Sequence, residues 1–275
     1  ASADGIERAY RQNHADAGLM ILNAIQAGKG PPVVLLHGLF GAARNWGAMQ
    51  RALAPRFRVI ALDMRNHGAS PHAAGMRYAE LAADVLETLN ALNALPAAVV
   101  GHSMGGKAAM VAALSRPEAV ARLLVSDIAP VSYHHGNAGV ATAMLALPLV
   151  PSLTRAQASD ALAAAAPDPA VRAFLVSNLI LGPQPSWRIG LAEIAAAIPD
   201  LEGWEDPGLP TYPKPTLFAT GTNSDYVLPE HRPAIRALFP TARFIGVKGA
   251  GHWVHADNPA GFLSVLEAFL HDWAL

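Results

Sequence analysis

Short apolar runs that end in Gly or Asp recur through the first half of the chain: "PPVVLLHG", "RFRVIALD", "PAAVVGHS" and "ARLLVSD". Their apolar and β-branched residues are consecutive rather than alternating, the pattern of strands covered on both faces in a parallel sheet. Between them lie segments of helical period, clearest in "YAELAADVLETLNAL", where Leu81, Val85, Leu89 and Leu92 recur at spacings of four and three. Strand and helix alternate, which predicts a mostly parallel α/β sheet. From about Val131 to Pro210 the pattern changes to Ala-rich helical stretches punctuated by proline, with no convincing strand. The clearest are "RAQASDALAAAA", "DPAVRAFLVSNLIL" and "SWRIGLAEIAAAI". Strands resume at "KPTLFATG" and "ARFIGVKGAG", and a helix-like "PAGFLSVLEAFLHDWAL" closes the chain. The expected organisation is a sheet domain over residues 1–130 and 211–275, split by a helical insert over 131–210. Such an insert is either surface decoration or a lid. Its entry at a strand end, where α/β sheets place their ligands, favours a lid that shapes a pocket.

Composition narrows the possible chemistry. A formal net charge of -1, with 15% charged residues and no Lys/Arg run, argues against a polyanion-binding surface and so against nucleic acid as a partner. No apolar segment approaches the roughly 20 residues of a membrane-spanning helix. The chain has no cysteine, which removes disulfides, thiolate nucleophiles and Cys-ligated metal. The first residues, "ASADGIERAYRQ", lack the apolar core of a signal peptide, so the expected location is cytoplasmic.

The strongest chemical signal is "VVGHSMGGKAAM", which holds G-x-S-x-G as Gly101, His102, Ser103, Met104 and Gly105. A strand pattern before it and a helical one after it mark a nucleophile elbow, which lifts the Ser103 hydroxyl above the sheet at a helix N-terminus. A serine hydroxyl is a poor nucleophile near neutral pH, so it needs a base held in one tautomer by an acid. Of the eleven histidines, His37 and His67 sit beside glycines in loops, His102 lies inside the elbow, and His134 and His135 open the insert. His252, in "KGAGHWVH", follows the last strand and precedes the final helix, where the base belongs in the order Ser, acid, His; His255 is its only near competitor. The His-Gly turn of "LLHGLFG" would aim the Leu39 amide, together with the Met104 amide, at an oxyanion.

The acid has two candidates on residue grounds. Asp225, in "GTNSDYV", falls one place after the acid slot of a G-x-x-D-x-x-V pattern, and that slot is occupied by Ser224. Asp127 ends "ARLLVSD", a neighbouring strand end from which a carboxylate could reach the same histidine.

With these motifs in hand, the chain resembles the α/β-hydrolase superfamily over nearly its whole length. "LLHGLFGAARNW", "DMRNHGAS", "GHSMGGKAAM", "SDIAPVSYH" and "GAGHWVHADNP" are similar to the YbfF-like esterases, a branch that cleaves carboxylic esters and acyl-CoA thioesters. The resemblance implies an α/β-hydrolase fold with a helical cap over 131–210, Ser103 as nucleophile, His252 as base and Asp127, in the "DIAP" motif, as acid. It implies a small-molecule ester or thioester as substrate and no metal or cofactor. The apolar content of the insert suits a hydrophobic acyl part. Lactonases, perhydrolases and C–C bond hydrolases share this triad, and a non-catalytic receptor on the same fold is the alternative of another class. Ser103 argues against haloalkane dehalogenases and epoxide hydrolases, which attack with an aspartate. Lys107 and Arg65 also match the branch. Lys107 is expected to pair with a nearby carboxylate such as Asp63 rather than with an acidic substrate group, and Arg65 to hold its own loop.

Overall fold

The structure, a computed structural model, describes residues 20–273. The stretch "ASADGIERAYRQ" lies outside the described residues. Seven strands form the main sheet: β1 (Ala24–Ala27), β2 (Pro32–Leu36), β3 (Arg58–Leu62), β4 (Ala97–His102), β5 (Val120–Ser126), β8 (Thr216–Gly221) and β9 (Ala242–Val247), in the order β1-β3-β2-β4-β5-β8-β9. All neighbours are parallel except β1, which runs antiparallel to β3 at one edge. The helices of this layer are α1 (Gly47–Leu53), α2 (Tyr78–Ala91) and α3 (Met104–Ser115), and later α8 (Arg232–Leu238), α9 (Val254–Asp257) and α10 (Pro259–Leu270).

The consecutive apolar residues of the strands fill two separate cores, because successive side chains point to opposite faces. Val34, Leu36, Ile60, Leu62, Val99, Leu123, Val125 and Phe218 pack with α2 and α3 on one face. Val33, Leu35, Val59, Ala61, Val100 and Leu124 pack with Trp46, Phe262 and Leu266 on the other. Each Val, Leu, Ile or Phe side chain among them, fully removed from water, contributes about 1.5–3 kcal/mol. This double burial is why the strands read as unbroken apolar runs.

Between β5 and β8 the chain leaves the sheet for α4 (Asn137–Leu145), α5 (Arg155–Ala161), α6 (Pro169–Val176) and α7 (Leu191–Glu202). One expectation fails here. The stretches read as continuous helix through 181 and from 186 instead form a two-stranded antiparallel ribbon, β6 (Leu179–Ile180) with β7 (Ser186–Trp187). Asn178, Gly182, Pro183 and Pro185 interrupt the helical period, and the ribbon is continued by the Arg188 amide donating to the Asn178 carbonyl at 2.8 Å. No helix among the described residues is long and apolar enough to cross a membrane.

Candidate active site

Ser103 sits between β4 and α3 with φ 51° and ψ -120°, a conformation that a side chain-bearing residue adopts only when its surroundings enforce it. The enforcement comes from both sides. The Ser103 amide donates to the Ser126 carbonyl of the next strand at 3.0 Å, and the first turn of α3 starts from the Ser103 carbonyl. At Gly105 a Cβ would lie 2.6 Å from the carbonyl oxygens of both Leu36 and His37, so only glycine lets the elbow close against β2.

The loop after β2 passes just as close. A Cβ at Gly38 would meet His102 Nδ1 at 2.9 Å and Ser103 Cβ at 3.2 Å. Two buried histidines hold this loop: His37 Nε2 accepts from the Met64 amide at 3.0 Å, and His67 Nε2 accepts from the Phe40 amide at 3.0 Å. Their Nδ1–H groups donate to the Gly38 and Arg65 carbonyls. Burial pushes both imidazoles down, His67 to about 3, which keeps each Nε2 an acceptor. With the Phe40 amide given to His67 and the Gly41 amide to the Gly38 carbonyl, the Leu39 amide has no acceptor among the described residues. In the sequence alone His37 and His67 read as loop residues beside glycines. A signal was present, since "LLHG" and "RNHG" follow parallel strands paired Leu36 to Leu62, which puts both histidines at one end of the sheet.

Of the two candidate aspartates the structure brings Asp127 to His252. Asp127 is fully buried at the end of β5, with φ 55°, and its Oδ2 accepts from His252 Nδ1 at 2.8 Å. Its Oδ1 accepts from the Gly221 amide at 3.1 Å and its Oδ2 from the Ser224 hydroxyl at 2.5 Å. Asp225 is exposed and makes no hydrogen bond to His252 among the described residues. Ser224, in the acid slot of the G-x-x-D-x-x-V pattern, thus donates to the carboxylate of the neighbouring strand. Burial raises the Asp127 carboxyl to about 6, with the Ser224 and Gly221 donors pulling against that rise, and burial also lowers the His252 imidazole. His102 Nε2 donates to the His252 carbonyl at 2.9 Å, so the elbow also fixes the backbone of the loop that carries His252.

Ser103, His252, Leu39 and Met104 line one cavity of about 470 Å³, together with Tyr133, Val140, Val171, Phe174 and Leu201 of the segment between β5 and β8. No hydrogen bond joins Ser103 Oγ to His252 among the described residues. His255 also borders the cavity, but its ring is stacked on Trp46 at 4.3 Å.

The expected pairing of Lys107 with Asp63 is not found. Asp63 is taken by the Ala43 and Ala69 amides and Asn23, whereas buried Lys107 donates from Nζ to the Gly203 carbonyl at 2.6 Å and lies over the rings of Tyr133 and Tyr78 at 4.9 and 5.3 Å. One turn into α3, the Lys107 side chain points to the sheet face that carries the inserted helices, not to the Asp63 loop. Arg65 does hold its loop, through a buried bidentate pair with Asp84 at 2.6 and 2.7 Å and a bond to the Gly75 carbonyl. No group of three or more His, Asp or Glu side chains among the described residues is placed to hold a metal ion.

A profile of the alpha/beta hydrolase family matches residues 33–265. Among curated relatives, the chain is 40% identical over 249 residues to the sn-1-specific diacylglycerol lipase ABHD11 of Mus musculus, covering 87% of this chain and 81% of that protein. It is 37% identical over 242 residues to Esterase YbfF of Escherichia coli strain K12, covering 88% and 93%. A solved structure described as "Marine microorganism esterase" superposes with a TM-score of 0.87 at 32% identity, over 91% of this chain and 100% of the other.

Proposed function

The chain belongs to the alpha/beta hydrolase family, and on that premise we propose that it is a serine hydrolase of carboxylic esters working through an acyl-enzyme on Ser103. One observation carries the reading: a strained serine at a helix N-terminus shares a cavity with a histidine whose Nδ1 is bound to a buried carboxylate. The bond to Asp127 keeps the proton of His252 on Nδ1 and leaves Nε2 as the base. Nε2 takes the Ser103 proton as Oγ attacks the ester carbonyl, and the Leu39 and Met104 amides receive the oxyanion. The imidazolium then gives its proton to the leaving alcohol. Water, deprotonated by the same Nε2, releases the acid. The Ser103 to His252 hydrogen bond forms when substrate fills the cavity, as catalytic contacts often tighten only in the complex. These steps call for no metal or cofactor. In this reading residues 131–210 are a cap over a core that, among the described residues, comprises 20–130 and 211–273, and its Val140, Val171 and Phe174 favour an apolar acyl group.

The names of the relatives, esterase and diacylglycerol lipase, support an ester as the substrate class. Ser103→Ala is expected to abolish p-nitrophenyl ester cleavage with an unchanged far-UV spectrum, and a variant that kept its rate would overturn the mechanism. A panel of p-nitrophenyl esters, acyl-CoA thioesters and lactones separates the ester reading from its relatives in chemistry, with esters of apolar acids expected to turn over fastest.

A further inference from the structure

A single bond to Asp127 does not fix the His252 ring. It places Nδ1, but the imidazole can still turn about the Nδ1 to Oδ2 line, and such a turn would swing Nε2 away from the serine. Something must hold the plane of the ring. His102 lies tilted beside it, at 4.8 Å and 45°. Tyr226 lies flat on the ring, with centroids 3.6 Å apart and planes 18° from parallel.

Tyr226 is itself held on every side that could move it. His135 stacks on it at 4.0 Å and 19°, and two rings so close and so nearly parallel to it must take opposite faces, so Tyr226 is sandwiched between His135 and His252. The Tyr133 hydroxyl donates to the Tyr226 carbonyl at 2.6 Å, and the Tyr226 amide donates to Ser224 Oγ at 3.3 Å. The turn that supports the acid through Ser224 therefore supports the base through Tyr226, two residues on.

We infer that Tyr226 is a positioning residue for the reaction, its flat ring setting the plane of His252 so that Nε2 is presented to Ser103. This rests on the serine-hydrolase reading above. Tyr226 also borders the cavity, and its phenol hydroxyl makes no hydrogen bond among the described residues, so the contact with His252 is made by the ring face, and a positioning role requires the loss on its removal to fall on kcat rather than on KM.

The test is steady-state hydrolysis of p-nitrophenyl butyrate by Tyr226→Leu, Tyr226→Met and Tyr226→Phe beside Ser103→Ala. Leu and Met keep an apolar side chain at the position without a flat face, and whichever folds is expected to lose about 10- to 100-fold in kcat with KM within about threefold. Phe keeps the face and is expected to stay within about threefold of the parent in both constants. Parent-like kcat in Leu or Met, a Phe variant as impaired as Leu, or a loss confined to KM would each overturn the inference. Activity surviving in Ser103→Ala would instead sink the serine mechanism, so the two failures are distinguishable.

Discussion

The environment of Asp127 sets an acid limit on the proposed chemistry. Burial raises the Asp127 carboxyl to about 6 and lowers the His252 imidazole, and because the two share a hydrogen bond the proton that arrives as pH falls belongs to the pair rather than to either group. Activity should therefore be fully present above this value and fall as pH drops through it, and kcat/KM against pH should show one acid limb near 6. The Ser224 hydroxyl stabilises the ionised form, so Ser224→Ala should move that limb to higher pH; a limb that stayed put or moved down would show that Ser224 does not bear on the acid. Asp127→Asn is expected to cost about 10⁴ in kcat. Asp225→Asn, at an exposed carboxylate, is expected to cost little. Ser103, Asp127 and His252 are legible as candidates because each lies in a short string at a strand end, where the chain itself encodes the turn. Ser224 and Tyr226 are not, because their contacts with Asp127 and His252 join side chains from separate strands and depend on the packed sheet. A local pattern marks the position of Ser224 as a slot for an acid but not the bond it donates to Asp127, and none marks Tyr226.

At the scale of elements, the C-terminus of α7 shows how the inserted segment is tied to the sheet. Its last carbonyls would be unsatisfied by the helix itself. The Tyr78 hydroxyl donates to Leu201 O at 2.6 Å, the Tyr133 amide to Glu202 O at 2.8 Å, and Lys107 Nζ to Gly203 O at 2.6 Å. Lys107→Met strands the Gly203 carbonyl and should lower stability by about 1–3 kcal/mol in urea unfolding. The pH dependence separates this role from simple packing. Burial lowers the folded pKa of Lys107 from 10.5 to about 7, so between those values the unfolded chain holds a proton that the folded chain lacks. Stability contributed by this group thus rises with pH across that window, and Lys107→Met should lose that part of the slope. A variant with the parental slope would place the lysine's titration elsewhere. The same helices explain what is hard to read at this scale. The buried parallel strands are plain in the hydrophobic pattern, whereas β1, "AIQA", is a short half-exposed edge strand with Ile25 as its one strong β former, and β6 and β7 each hold two residues. Such elements exist through their partners more than through their own composition.

The whole molecule raises the question of whether the segment between β5 and β8 is a separate unit, as its sequence pattern suggests. Its helices pack in pairs, α4 against α7 and α5 against α6, and their apolar residues also run on into the core of the sheet layer. Met144, Leu175, Ile194, Ile198 and Leu201 belong to one continuous cluster with Leu81, Met110, Leu123 and Val125 of the sheet layer. A segment that shares its core with the sheet cannot unfold without exposing that core, so it should melt with the sheet and not before it. Hydrogen exchange under rising urea offers the direct measurement, since a subunit that opens alone shows a smaller urea dependence and a lower opening free energy than the rest. Slowly exchanging amides of α7 and of β4 are expected to converge on one free energy and one slope. If α7 instead opened at a free energy well below that of β4, the segment would be an independently mobile body and its shared core too weak to couple it. Convergence would mean that the cavity walls contributed by the insert are as fixed as the sheet that carries Ser103.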